Sequence, residues 1–112
     1  MSAPMVGAAD AVLFAALGDQ TRLGLLAALG TGGAATATRL ADPLPVTRQA
    51  VSRHLRVLED AGLVVTSKAG RDVLYEVDVD VLRERADWLA SVSRAWDRRL
   101  EDLRQRAERR DR

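Results

Sequence analysis

Residues 42–62, DPLPVTRQAVSRHLRVLEDAG, decide the fold. The prolines at 43 and 45 bias the residues before them away from helical backbone, so any helix upstream must close there. Thr47 stands where an N-cap belongs and Gly62 where a helix should stop, which predicts a helix over 48–60. At about 100° per residue, Val51, Leu55 and Leu58 share one side of that helix, and Gln49, Ser52, Arg53 and Arg56 share the other. The polar side offers two guanidiniums, an amide and a hydroxyl, with no carboxylate before Glu59 and Asp60. A merely solvated face also tolerates Arg and Gln. The missing carboxylates, directly after a tight break, point instead to a face that meets phosphate and base edges.

Upstream, residues 35–41 read as a short helix holding Leu40, with Thr36 as a candidate cap. A short helix, a tight break and a longer helix make a helix-turn-helix. Two further helices precede it. One covers 8–17, with Val12, Leu13, Ala16 and Leu17 as its apolar face, and ends at Gly18. The other follows a predicted Asp19 cap over 20–29, with Leu23, Leu26, Ala27 and Leu29 inward, and is expected to end at Gly30, Gly32 and Gly33.

Downstream, residues 63–68 and 72–77 are rich in β-branched residues and flank Gly70, the pattern of a β-hairpin with a basic tip. Val73, Tyr75 and Val77 alternate with Asp72, Leu74 and Glu76, so the first three define the apolar face. A lone hairpin is marginal in water, and that face must pack on the helices. The last helix is predicted over about 79–106, with 108–112 frayed. Leu82, Leu89, Trp96 and Leu103 recur every seven residues, and Ala86, Ser93, Leu100 and Ala107 follow each by four. The stripe is longer than a small domain needs to cover itself. It argues for a second copy across a twofold axis, with Val12, Ala16, Leu89, Ser93, Trp96, Leu100 and Leu103 as the expected interface. Trp96 folding back onto its own subunit is the alternative.

At 112 residues the chain has room for one domain, 1–112, of mostly α structure in the order α-α-α-α-β-β-α. The absence of cysteine excludes disulfides, thiolate metal sites and cysteine nucleophiles. The start, MSAPMVGAADAVLF, has no basic leader region, and no run of about 18 apolar residues occurs, so a cytoplasmic location without membrane insertion is expected. Net charge is only +1, yet residues 39–71 carry six basic groups against three acidic ones, while 72–104 carry six against nine. Positive charge is thus concentrated on the helix-turn-helix and hairpin tip. An enzyme is not expected: His54 is the only histidine, and GTGGAA at 30–35 lacks the lysine and preceding strand of a phosphate-cradling loop. No cofactor is expected either.

These segments resemble the ArsR-type family of winged-helix repressors. The resemblance covers roughly residues 11–104 and rests on ALGDQTRLGLLAAL at 16–29, RLA at 39–41, VTRQAVSRHLRVLEDAGLV at 46–64, and KAGRDVLYEV at 68–77. DWLASVSRAWDRRLEDL at 87–103 is similar to a subgroup with tryptophans in the last helix and no metal-binding cysteines. The resemblance implies a homodimer joined through its first and last helices. It also implies binding to operator DNA, repression of its own or neighbouring genes, and release by a signal. By position, Thr47, Arg48, Gln49, Ser52 and Arg53 fall at the major-groove end of the recognition helix, His54 matches a serine–basic–histidine–leucine segment, and Arg71 sits on the wing tip.

Within that frame Arg53 and Gln49 suit guanine and adenine edges, and Ser52 suits base or phosphate. Arg48, Arg56 and Lys68 suit phosphates, and Arg71 suits the minor groove. His54 lies at the edge of the apolar side, either packed or touching phosphate. Two departures stand out. Thr36-Ala37-Thr38-Arg39 replaces the cysteine pair of metal-sensing members, and the last helix has carboxylates but no histidine, so neither familiar sensor site is present and the effector is left open. Asp72 puts a negative charge beside Arg71 and weakens the expected wing contact. With the near-neutral net charge, it leaves a protein-interaction module or antirepressor without DNA binding as the second reading.

Overall fold

In the computed structural model, which describes residues 7–111, the chain runs α1 (Ala8–Leu17), α2 (Gln20–Gly32), α3 (Ala37–Ala41), α4 (Arg48–Asp60), β1 (Val64–Ala69), β2 (Asp72–Val77) and α5 (Val79–Arg110). This is the predicted winged helix-turn-helix order. Expectations for the first six residues and for Arg112 lie outside the described residues. Two compact units emerge, one formed by residues 7–81 and the other by residues 82–111.

In the first unit, side-chain caps start three helices. The Asp19 carboxylate accepts from the Arg22 amide at 3.0 Å, Thr36 Oγ1 from the Arg39 amide at 3.2 Å, and Thr47 Oγ1 from the Ala50 amide at 3.1 Å. Each satisfies a donor that the first helical turn leaves unpaired. At the far end of α4, the Gly62 amide donates to the Glu59 carbonyl and the Leu63 amide to the Leu58 carbonyl. This is the Schellman arrangement, with Gly62 at φ 81° and the fully buried pair Leu58 and Leu63 closing over it. A Cβ at residue 62 meets no neighbour, so the obstacle to substitution is backbone conformation alone. Gly62→Ala is expected to destabilise by about 1–2 kcal/mol, read by chemical denaturation. An unchanged midpoint would mean that the helix ends in another way.

The core centres on Val51, Leu55 and Leu58 of α4, all fully buried, with Leu13, Leu25, Leu63 and Val64 beside them. Two helix faces differ from expectation. On α2 the buried residues are Leu25, Leu26 and Leu29, while Leu23 and Ala27 are exposed. The stripe is therefore 22, 25, 26 and 29, one helical face with Arg22 at its head. On α1, Leu13 and Ala16 are buried and Val12 is 55% exposed. Ala16, at 2% exposure, is a core residue with almost no surface to offer a partner, unlike its expected interface role. α2 also passes through Gly30 and Gly32 and stops only at Gly33, whose φ of 79° ends it. Glycine inside a helix costs only about 1 kcal/mol, which burial of Leu29 outweighs.

β1 and β2 pair antiparallel from Val64 opposite Val77 to Ala69 opposite Asp72. The two-residue loop Gly70-Arg71 has positive φ only at its glycine, 64°, as a type II′ turn requires. Ala35, expected to open α3, is instead extended and bridges Tyr75. The Ala35 amide donates to the Tyr75 carbonyl at 3.1 Å and the Tyr75 amide to the Ala35 carbonyl at 2.8 Å. This single bridge ties the wing to the residue before the α3 cap.

The second unit is essentially α5, and none of its residues is buried. Leu89, Trp96, Leu100 and Leu103 are each about half exposed, at 49–56%. Arg99 lies over the Trp96 ring, 5.7 Å from its centroid. Arg104 grips Glu101 through two nitrogens and also binds Glu108. These one-turn pairs favour continued helix. Helix accordingly persists to Arg110, where fraying from residue 108 was expected. Among the described residues no single helix is long and apolar enough to cross a membrane.

Candidate nucleic-acid interface

Because Val51, Leu55 and Leu58 fill the buried side of α4, the opposite side must face outward, and Gln49, Arg53 and Arg56 are exposed there. Arg48 is exposed at the start of α4, Ser52 is half-buried, and Lys68 and Arg71 are exposed on the wing. Among the described hydrogen bonds and ion pairs, none uses the head groups of Arg48, Arg53, Arg56, Lys68 or Arg71. Arg22 and Arg104, by contrast, are bound to protein acceptors. Uncommitted guanidiniums on one surface retain their full capacity for an external anion.

Two cavities flank this surface, and Ser52 and Tyr75 line both. One, of about 180 Å³, has Arg48, Arg71 and Asp72 among its walls. The other, of about 300 Å³, is lined by Arg53, Arg56 and Glu59 besides the shared pair. Glu59 is committed: it accepts from Thr66 Oγ1 at 3.0 Å. The structure thus gathers Arg48, Ser52, Arg53, Arg56 and Arg71 along one groove between α4 and the wing.

His54 departs from that set. Its Nδ1 lies 3.3 Å from Arg22 Nη1 and 3.8 Å from Asp19 Oδ2, so the ring is directed at the α1–α2 junction and away from the arginine groove. Arg22 also donates from Nε to the Ala16 carbonyl at 2.6 Å and from Nη2 to the Ala15 carbonyl at 3.4 Å. It therefore satisfies the open carbonyl end of α1 while touching α4. The hydrogen bond from the Arg22 amide holds the Asp19 carboxyl below its ordinary pKa, with the charges of Arg22 and His54 lesser contributors in the same direction.

Tyr75 is the residue that pattern reading missed. Alternation placed it with Val73 and Val77 on a packing face, yet Val73 is exposed, Leu74 of the other face is half-buried, and Tyr75 lines two polar cavities. Period-two alternation reports the side of a strand and not what lies opposite it. Among the described residues, no group of three or more His, Cys, Asp or Glu side chains is placed to hold a metal ion.

The model of a helix-turn-helix domain family matches residues 17–67, the stretch from the end of α1 into β1. The chain is 40% identical over 85 residues to the HTH-type transcriptional regulator Rv2034 of Mycobacterium tuberculosis, covering 76% of each chain. It is 32% identical over 85 residues to the arsenical resistance operon repressor of Escherichia coli, covering 75% of this chain and 69% of that one. Among solved structures, an ArsR-like transcriptional regulator from Rhodococcus sp. RHA1 superposes with a TM-score of 0.75 at 41% identity, covering 87% of this chain and 91% of that one.

Proposed function

The chain belongs to the ArsR family of winged helix-turn-helix transcriptional regulators, and from that premise we propose that it is a repressor acting as a homodimer on an inverted-repeat operator. It is a DNA-binding regulator by family; the residues, the assembly and the sense of regulation are the proposal. One α4 from each copy enters each of two successive major grooves, about 34 Å apart. Arg53 and Gln49 read base edges, Ser52 reaches base or phosphate, and Thr47 holds the helix start at the groove. Arg48, Arg56 and Lys68 hold backbone phosphates. The observation that carries this reading is the α4 groove, where the arginines are exposed and bound to no protein acceptor.

The half-exposed apolar stripe of α5 supports the dimer, since Leu89, Trp96, Leu100 and Leu103 leave apolar surface open along a helix of 32 residues. Leu89, Ser93, Trp96, Leu100 and Leu103 form its face, and Val12 adds exposed apolar surface on α1. Repression is supported by the name of the Escherichia coli relative. The arsenical trigger in that name does not carry over. Thr36-Ala37-Thr38-Arg39 starts α3 here, and no metal-ligand cluster exists among the described residues, so this chain's residues do not fit a metal sensor.

A gel-shift titration on the duplex upstream of the gene itself, at two salt concentrations, tests the reading. With about six phosphate contacts per dimer, affinity is expected to fall roughly a thousandfold between about 50 and 200 mM salt. A folded protein that shifts no duplex even at low salt would instead be a protein-interaction module on a winged-helix scaffold.

A further inference from the structure

We propose that the cavity between α3, α4 and the wing seats one backbone phosphate of the duplex, and that Asp72 inside it sets how tightly that phosphate is held. The inference rests on the DNA-binding reading above and assigns to Asp72 a tuning role within it. At about 180 Å³, the cavity is smaller than the roughly 300 Å³ at which sites for whole small molecules begin, and it suits a single tetrahedral group. Its donors suit that group too: the guanidiniums of Arg48 and Arg71 and the hydroxyls of Thr36, Thr38, Ser52 and Tyr75. Arg71 thereby moves from its expected place in the minor groove to the backbone.

Asp72 is the one carboxylate on these walls. In the neighbouring cavity Glu59 is engaged by Thr66, whereas no described hydrogen bond or ion pair engages the Asp72 carboxylate. A phosphate entering beside Arg48 and Arg71 therefore meets a net charge of one, not two, and is held more weakly than the arginines alone would hold it. A regulator that must leave its operator benefits from such a brake, because each phosphate gripped at full strength lengthens its stay on any sequence.

The test compares wild type with Asp72→Asn on a mixed-sequence duplex across a chloride series, with Asp72→Ser as the second variant in case the amide disturbs the hairpin end. Asp72→Asn is expected to bind about fivefold to tenfold more tightly at low salt. Its plot of log affinity against log salt should be steeper by up to about 0.9 per subunit. The gain should vanish when Arg48 and Arg71 are both alanine, since no phosphate is then held near residue 72. Unchanged affinity and slope in both variants, with wild type binding normally, would overturn the tuning role and leave the DNA-binding reading intact. A gain that keeps the wild-type slope and survives loss of both arginines would be a hairpin effect and would also overturn it. Absence of duplex binding by every variant at low salt would remove both readings together.

Discussion

Replacing Arg53 by alanine is expected to lower operator affinity at least about thirtyfold while leaving affinity for a mixed-sequence duplex close to wild type. A bidentate guanidinium–guanine pair discriminates by about 1–3 kcal/mol, and a dimer loses two of them, so the lower bound is about 2 kcal/mol. The side chain is exposed on the face of α4 opposite Val51, Leu55 and Leu58, and no described hydrogen bond or ion pair uses it. Fold and dimer should therefore survive, as circular dichroism and sedimentation would register. Arg48→Ala should behave differently, because a lost phosphate contact weakens binding to all sequences alike and flattens the salt dependence. If Arg53→Ala weakened operator and mixed-sequence duplex by the same factor, Arg53 would be a backbone contact and the base readout would have to lie elsewhere on α4.

The second large effect is expected on α5. Trp96→Glu combined with Leu100→Glu puts four carboxylates into the proposed twofold interface. At about 1 kcal/mol each, even if they stay partly hydrated, the dimer should weaken roughly a thousandfold, and the protein should sediment as a monomer at micromolar concentration. Both residues are more than half exposed, so the substitutions disturb little packing within the chain. DNA binding should fall to the affinity of a single half-site, because the second α4 no longer arrives with the first. A variant that still sediments as a dimer would place the interface off this stripe.

Much of the fold was readable because its signals are local. Caps at Asp19, Thr36 and Thr47 depend on a side chain and an amide three residues away, and the stop at Gly62 depends on one residue's φ. The buried side of α4 followed from period alone, since residues spaced three and four apart on a helix share a face whatever they meet. Misreadings arose where the partner decides. Leu23 and Leu25 are equally apolar, and only Arg22 turning toward α1 and His54 shows which stripe of α2 faces inward. Ala16 shares the helical spacing of Val12, yet Ala16 is buried while Val12 stays exposed. Ala35 in a run of small residues carries no mark of extended pairing, and Tyr75 across from it supplies the bridge.

Within the stretch 42–62, local signals alone cap a helix at Thr47, stop it at Gly62 and keep one polar face free of carboxylates for most of its length. Those properties are set by bonds and angles within a few residues, so the chain cannot avoid them. What that face works with depends on contacts between distant parts of the chain. It turned His54 toward Arg22 and Asp19 and brought Arg71 and Asp72 of the wing into one cavity with Arg48. Residues 48 and 71 are separated by a whole helix and a strand. Their meeting depends on how the hairpin is anchored at Ala35, which no local pattern encodes.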